Sequence, residues 1–132
     1  MWKALIIDDE KPVRIAISKL GKWSHFQIAP PLMASNGKEA LTVMREIHPD
    51  LVFVDMSMPI MDGIAFLKTA SAEFPDSRFI IISGYDDFSY AVEMLRNGVR
   101  EYILKPIERE KITEILKKLN AEIESRKEKE EN

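Results

Sequence analysis

Four short apolar runs constrain this chain most: Ala4-Leu5-Ile6-Ile7, Leu51-Val52-Phe53-Val54, Phe79-Ile80-Ile81-Ile82 and Tyr102-Ile103-Leu104. Each is too short for a helix and rich in β-branched or aromatic residues, so each reads as a strand buried on both faces. A fifth, weaker strand falls between Gln27 and Met33. It contains Pro30 and Pro31, which lack the amide donors of a central strand, and it therefore belongs at a sheet edge.

Between the runs the apolar period changes to that of helices. Val13, Ala16, Ile17 and Leu20 form one stripe, and Ala40, Val43, Met44 and Ile47 a second. Ile64, Leu67 and Phe74 mark a third helix, and Tyr90, Ala91, Met94 and Leu95 a fourth that stops near Gly98. The last stripe, Ile112, Ile115, Leu116, Leu119 and Ile123, follows Pro106, a residue compatible with a helix start. Strand and helix thus alternate five times, which predicts an open, doubly wound α/β fold with a parallel sheet covered by helices on both faces.

A chain of 132 residues suits one domain of the usual size, about 100 to 150 residues. Its 19 basic and 22 acidic residues sum to −3, so this chain alone is not built to grip nucleic-acid phosphates. The absence of Cys excludes disulfides, thiolate metal sites and Cys nucleophiles. No signal-peptide core or membrane-length apolar run is present, and a cytoplasmic location is expected. Residues 121–132 carry five Glu against one Arg and two Lys. They are expected to be a charged helix extension or a linker beyond a domain spanning 1–120.

The informative residues are those at which the apolar runs stop: Asp8 and Asp9, Asp55, Ser83 and Lys105. In a parallel sheet all strand ends of one kind share an edge, where open α/β folds bind ligands. Three carboxylates gathered there repel one another, each contact near 4 Å costing about 4 kcal/mol at an effective dielectric of 20. A hard cation with oxygen ligands, Mg²⁺ above all, offsets that repulsion. Asp8 and Asp9 are then metal ligands. Asp55 shares the metal and serves as nucleophile, Lys105 balances an arriving phosphoryl group, and Ser83 offers it a hydroxyl.

In sequence order, Asp8-Asp9-Glu10, Asp55-Met56-Ser57-Met58-Pro59-Ile60-Met61-Asp62-Gly63, Ser83-Gly84-Tyr85 and Lys105-Pro106 resemble the receiver domain of two-component response regulators. The resemblance covers residues 3–120. Ser83 to Phe88 together with Gly98 to Ile107 further resemble receivers joined to AraC-type DNA-binding domains. A flavodoxin-like (βα)5 sandwich with strand order 2-1-3-4-5 is implied, which puts the proline-bearing second strand at an edge. Also implied are a sensor histidine kinase as phosphoryl donor to Asp55 and Mg²⁺ held by Asp8, Asp9, Asp55 and the backbone carbonyl of Ser57. Lys105 would contact the phosphoryl oxygens. Ser83 and Tyr102 would form the switch, Ser83 drawn to the phosphoryl group and Tyr102 turning inward. That movement alters the face of the fourth helix, fifth strand and last helix, through which a homodimer would form. DNA would be met only through an output domain absent from this chain, and no membrane partner is expected. Ser57 and Tyr85 occupy positions where receivers vary, and a bulky Tyr85 is expected to lengthen the acyl phosphate's lifetime.

Blander readings compete with these. Asp8 and Asp9 are also suitable caps for the helix near Pro12, Lys105 suits a solvated surface, and Tyr102 is an ordinary core aromatic. His25 and His48 read as surface residues, and Met56, Met58 and Met61 as loop packing. A Mg²⁺-dependent phosphohydrolase with an aspartyl-phosphate intermediate shares an Asp at a strand end, but it would carry a second Asp two residues later, where this chain has Ser57. A stand-alone receiver acting by protein contact is the other alternative. Neither a Gly-rich dinucleotide loop nor a P-loop is present.

Overall fold

The computed structural model describes residues 2–55, 63–83, 99 and 101–131, the side chains of 63, 64 and 126–131 excepted. In chain order it contains β1 (Ala4–Ile7), α1 (Lys11–Leu20), a 3-10 turn (Ser24–Phe26), β2 (Leu32–Ala34), α2 (Gly37–Ile47), β3 (Leu51–Asp55), α3 (Gly63–Glu73), β4 (Arg78–Ser83), β5 (Glu101–Leu104) and a C-terminal helix (Arg109–Glu131). The expected fourth helix and Gly98 lie outside the described residues, as do Ser57 and Tyr85.

All four strand pairings are parallel, in the order β2-β1-β3-β4-β5. The doubly wound, flavodoxin-like sheet therefore stands as expected. The proline-bearing segment is at an edge. Ile28 makes an isolated bridge to Trp2, and regular pairing resumes only at Leu32, once Pro30 and Pro31 are passed. β2 is thus shorter and later than the apolar run suggests, because the prolines cannot donate to a ladder.

The sheet's side chains divide between two cores. On one face Leu5, Ile7, Val52, Val54, Phe79 and Ile81 pack against α2 and α3 through Ala40, Leu41, Met44, Phe66, Leu67 and Ala70. On the other face Ile6, Phe53, Ile80, Ile82 and Ile103 pack against Ile17 of α1 and against Ile112, Ile115, Leu116, Leu119 and Ile123 of the C-terminal helix. Alternate residues of a strand point to opposite faces, so runs that are apolar at every position feed both cores. The α1 stripe is narrower than its spacing implies: Ile17 is buried, Val13 and Leu20 partly so, and Ala16 faces solvent.

Local chemistry fixes the helix ends. Asn36 caps α2 by accepting the Glu39 N–H at 2.8 Å, and the Ser35 hydroxyl donates to the Glu39 carboxylate at 2.7 Å. α1 ends before Gly21, where a Cβ would lie 2.5 Å from the Trp23 ring. That close approach lets the Trp23 N–H donate to the Ser18 carbonyl at 2.7 Å while its ring meets Phe53 edge-on, centroids 5.8 Å apart. Pro106 does not open the C-terminal helix, which begins at Arg109. The Lys105–Pro106 peptide is cis.

Candidate functional site

Sheet register brings the expected residues together. Ile7 pairs with Val54, so the next residue, Asp8, comes beside Asp55 at the end of β3. Asp55 pairs with Ile82, and Ser83 follows; Ser83 pairs with Leu104, and Lys105 follows. The Lys105 N–H donates to the Ser83 carbonyl at 2.8 Å, and the Asp8 N–H to the Ala34 carbonyl at 3.2 Å. Four neighbouring strands thus deliver their last polar residues to one edge. The pair Asp8 and Asp55 sits between β1 and β3, where the winding reverses direction and a crevice opens.

Asp8, Asp9 and Asp55 each offer a carboxylate oxygen, and these atoms lie within 4.8 Å of one another. Asp8 and Asp55 are only 1% and 4% exposed, whereas Asp9 faces solvent. The Lys105 ammonium stands 3.9 Å from Asp55 Oδ1. Burial pushes the Asp8 carboxyl up to about 6. A hydrogen bond from the Glu10 N–H and the charge of Lys105 oppose this rise, and the charges of Asp55 and Asp9 add to it. Asp8 Oδ1 accepts that Glu10 N–H at 2.9 Å, while Asp8 Oδ2 is buried without a hydrogen-bond partner among the described residues. A buried acceptor left unmatched beside two further carboxylates is the setting a divalent cation satisfies. An all-oxygen donor set fits a hard ion such as Mg²⁺.

The helix-cap reading of the acidic pair fails. Glu10 is the N-cap of α1 and makes no side-chain capping bond, and Asp8 bonds within its own loop. Ser83 is 1% exposed, and its hydroxyl donates to the Tyr102 hydroxyl at 3.0 Å. Tyr102 is partly buried against the core beneath α2 and α3. The two residues that the resemblance makes a switch are therefore in direct contact. His48 is exposed at the end of α2, apart from the site.

Two basic residues that the motifs do not single out touch the same loops. Arg14 Nη1 donates to the Asp8 carbonyl at 2.6 Å. Lys111 Nζ donates to the carbonyls of Leu104 and Pro106 at 3.2 and 3.3 Å. A visible signal was their place near helix starts, where the macrodipole disfavours cations.

A parallel sheet with an acidic trio and a lysine at its switch point defines a class of α/β signalling and phosphoryl-handling domains. The chain belongs to the response regulator receiver domain family, whose pattern matches residues 4–117. It is 34% identical over 123 residues to the transcriptional regulatory protein YesN of Bacillus subtilis, covering 93% of this chain and 33% of that protein. This chain therefore spans about a third of that relative's length. The receiver domain of AraT, a response regulator from Geobacillus stearothermophilus, superposes with a TM-score of 0.90 at 39% identity, covering 96% of this chain and 98% of that one. A two-component transcriptional regulator AraC from Clostridium phytofermentans gives 0.86 at 29% identity, covering 98% and 99%. No helix among the described residues is long and apolar enough to cross a membrane.

Proposed function

We propose that this receiver domain is the phosphoacceptor switch of a two-component pathway. The observation that carries the reading is the convergence of Asp8, Asp9 and Asp55 within 4.8 Å, with Lys105 3.9 Å from Asp55. A carboxylate oxygen of Asp55 attacks the phosphorus of a kinase phosphohistidine. The P–N bond breaks, and the imidazole leaves with the electron pair. Asp8, Asp9 and Asp55, with the Ser57 carbonyl, are the groups that would hold Mg²⁺. When bound, the ion neutralises charge on the transferring phosphoryl group. Lys105 neutralises the remainder from the β5 side.

The new acyl phosphate adds about −1.5 to −2 charges and three acceptor oxygens. Ser83 then has a stronger acceptor than the Tyr102 hydroxyl. Breaking their 3.0 Å bond releases Tyr102, which couples the site to the outer face of β5 and the C-terminal helix. That face, with the segment expected to form the fourth helix, is proposed as the output and homodimer surface. Tyr85 is proposed to slow hydrolysis of the phosphoryl group. The domain catalyses only its own phosphorylation and dephosphorylation.

The relatives' description as transcriptional regulators supports a role in a cytoplasmic transcription factor that meets DNA through a further domain. Residues 1–120 would then be the receiver, and the charged segment 121–132, helical through Glu131, the connection toward that domain. The deciding experiment is intact-mass measurement after incubation with Mg²⁺ and acetyl phosphate. One phosphoryl adduct is expected on the wild type and none on Asp55→Asn. An adduct on both proteins, or on neither, overturns the reading. Multiple turnover of generic phosphoesters would instead favour a hydrolase.

A further inference from the structure

The site residues are held in two different ways. Asp8, Asp55 and Ser83 are buried at strand ends and fixed by packing. Asp9 is exposed and the Lys105 side chain is 42% exposed, so packing cannot fix them. Both lie on loops, yet metal and phosphoryl chemistry requires placement to about 0.5 Å.

The loops are secured from outside the acidic pocket. Arg14, the fourth residue of α1, reaches back to the carbonyl of the peptide that joins Asp8 to Asp9. Fixing that peptide plane sets the direction from which the Asp9 side chain departs. Lys111, the third residue of the C-terminal helix, reaches back to the carbonyls of Leu104 and Pro106, which bracket Lys105. All three bonds have a charged donor, and the Arg14 bond, at 2.6 Å, is as short as charge-assisted bonds become. Both cations sit near a helix start, where the macrodipole opposes them, and α1 has no acid in its first turn to compensate. A locally unfavourable choice made twice, with the same geometric outcome, points to a shared task.

We propose that Arg14 and Lys111 are positioning residues of the phosphoacceptor centre, Arg14 orienting Asp9 for the metal and Lys111 orienting Lys105 for the phosphoryl group. The proposal rests on the phosphoacceptor reading given above. It separates the two clamps by function. Arg14 acts on cation binding, and Lys111 on transfer once the cation is bound.

The test uses the domain with Mg²⁺ titrated calorimetrically and acetyl phosphate as donor. Arg14→Ala is expected to weaken Mg²⁺ affinity about tenfold, the size of a lost charge-assisted hydrogen bond, with most of it restored in Arg14→Lys. Lys111→Ala is expected to keep Mg²⁺ affinity within about twofold while lowering the saturated phosphorylation rate about tenfold, with recovery in Lys111→Arg. If either alanine variant fails to fold, Arg14→Gln and Lys111→Gln, which keep an amide donor without the charge, are compared in its place. The positioning roles are overturned if the variants match the wild type. They are equally overturned if both variants lose affinity and rate together in step with lost thermal stability, as a merely structural role would produce. A wild type that neither binds Mg²⁺ nor takes the phosphoryl group sinks the phosphoacceptor reading itself, and the clamps' function with it.

Discussion

The two ends of the sheet treat charge in opposite ways. At the amino end, Asp50 accepts the Lys3 N–H at 2.8 Å, the Ser77 hydroxyl donates to the Pro49 carbonyl at 2.6 Å, and Arg78 donates to the Asp76 carbonyl at 2.8 Å. Arg78 also lies 3.7 Å from the Glu122 carboxylate. The Asp50 and Ser77 bonds and the Arg78–Glu122 pair tie separate segments together, whereas the Arg78 bond to Asp76 is local. At the carboxyl end, three acids crowd within 4.8 Å while the Lys105 ammonium stands 3.9 Å from Asp55, and Asp8 Oδ2 has no hydrogen-bond partner among the described residues. One end is arranged for stability. The other is left electrostatically incomplete, and that incompleteness is what a cation and a phosphoryl group can use.

The contrast is sharpest in mutants of opposite sign. A carboxyl raised from 3.8 to about 6 on folding holds its proton more tightly in the folded chain. Its contribution to stability is therefore greatest below about pH 4 and falls as pH rises to 6. Asp8→Asn removes that loss, so the metal-free variant should be more stable than the wild type by about 3 kcal/mol above pH 6 and equal to it near pH 4. Urea unfolding at the two pH values checks this, and a destabilised variant at pH 7 would erase the contrast. The same proton competes with metal. Mg²⁺ affinity should fall about tenfold between pH 7 and pH 5 and change little above pH 7, as read by calorimetry.

At the amino end the sign should reverse. Asp50→Ala loses the bond to Lys3 and should cost about 1 kcal/mol by the same unfolding measurement. Ser83→Ala and Tyr102→Phe should each cost about 1 kcal/mol, and the double variant little more than either alone, because both remove one hydrogen bond. Arg45→Ala, which breaks the exposed 2.8 Å pair with Glu73, should leave the unfolding midpoint unchanged.

Much of this molecule was legible in the chain because its signals are local. Strands buried on both faces must be apolar at every position, and Asp55, Ser83 and Lys105 announced themselves by ending such runs. Pro30 and Pro31 placed β2 at an edge through a missing donor, although the ladder's true start at Leu32 depended on where the bridge to Trp2 left off. The α1 stripe misled at Ala16 because spacing gives a face but not how much of it a neighbour covers.

By itself the sequence determined the strand–helix alternation, the edge position of β2 and the identity of the polar residues at the strand ends, since each follows from neighbours in the chain. Only tertiary structure decided that Asp8 Oδ2 lacks a hydrogen-bond partner among the described residues, that Ser83 meets Tyr102, and that Arg14 and Lys111 bond to the two site loops. Those facts depend on register and on the reach of side chains between elements, and no local pattern of residues encodes a distance across the fold.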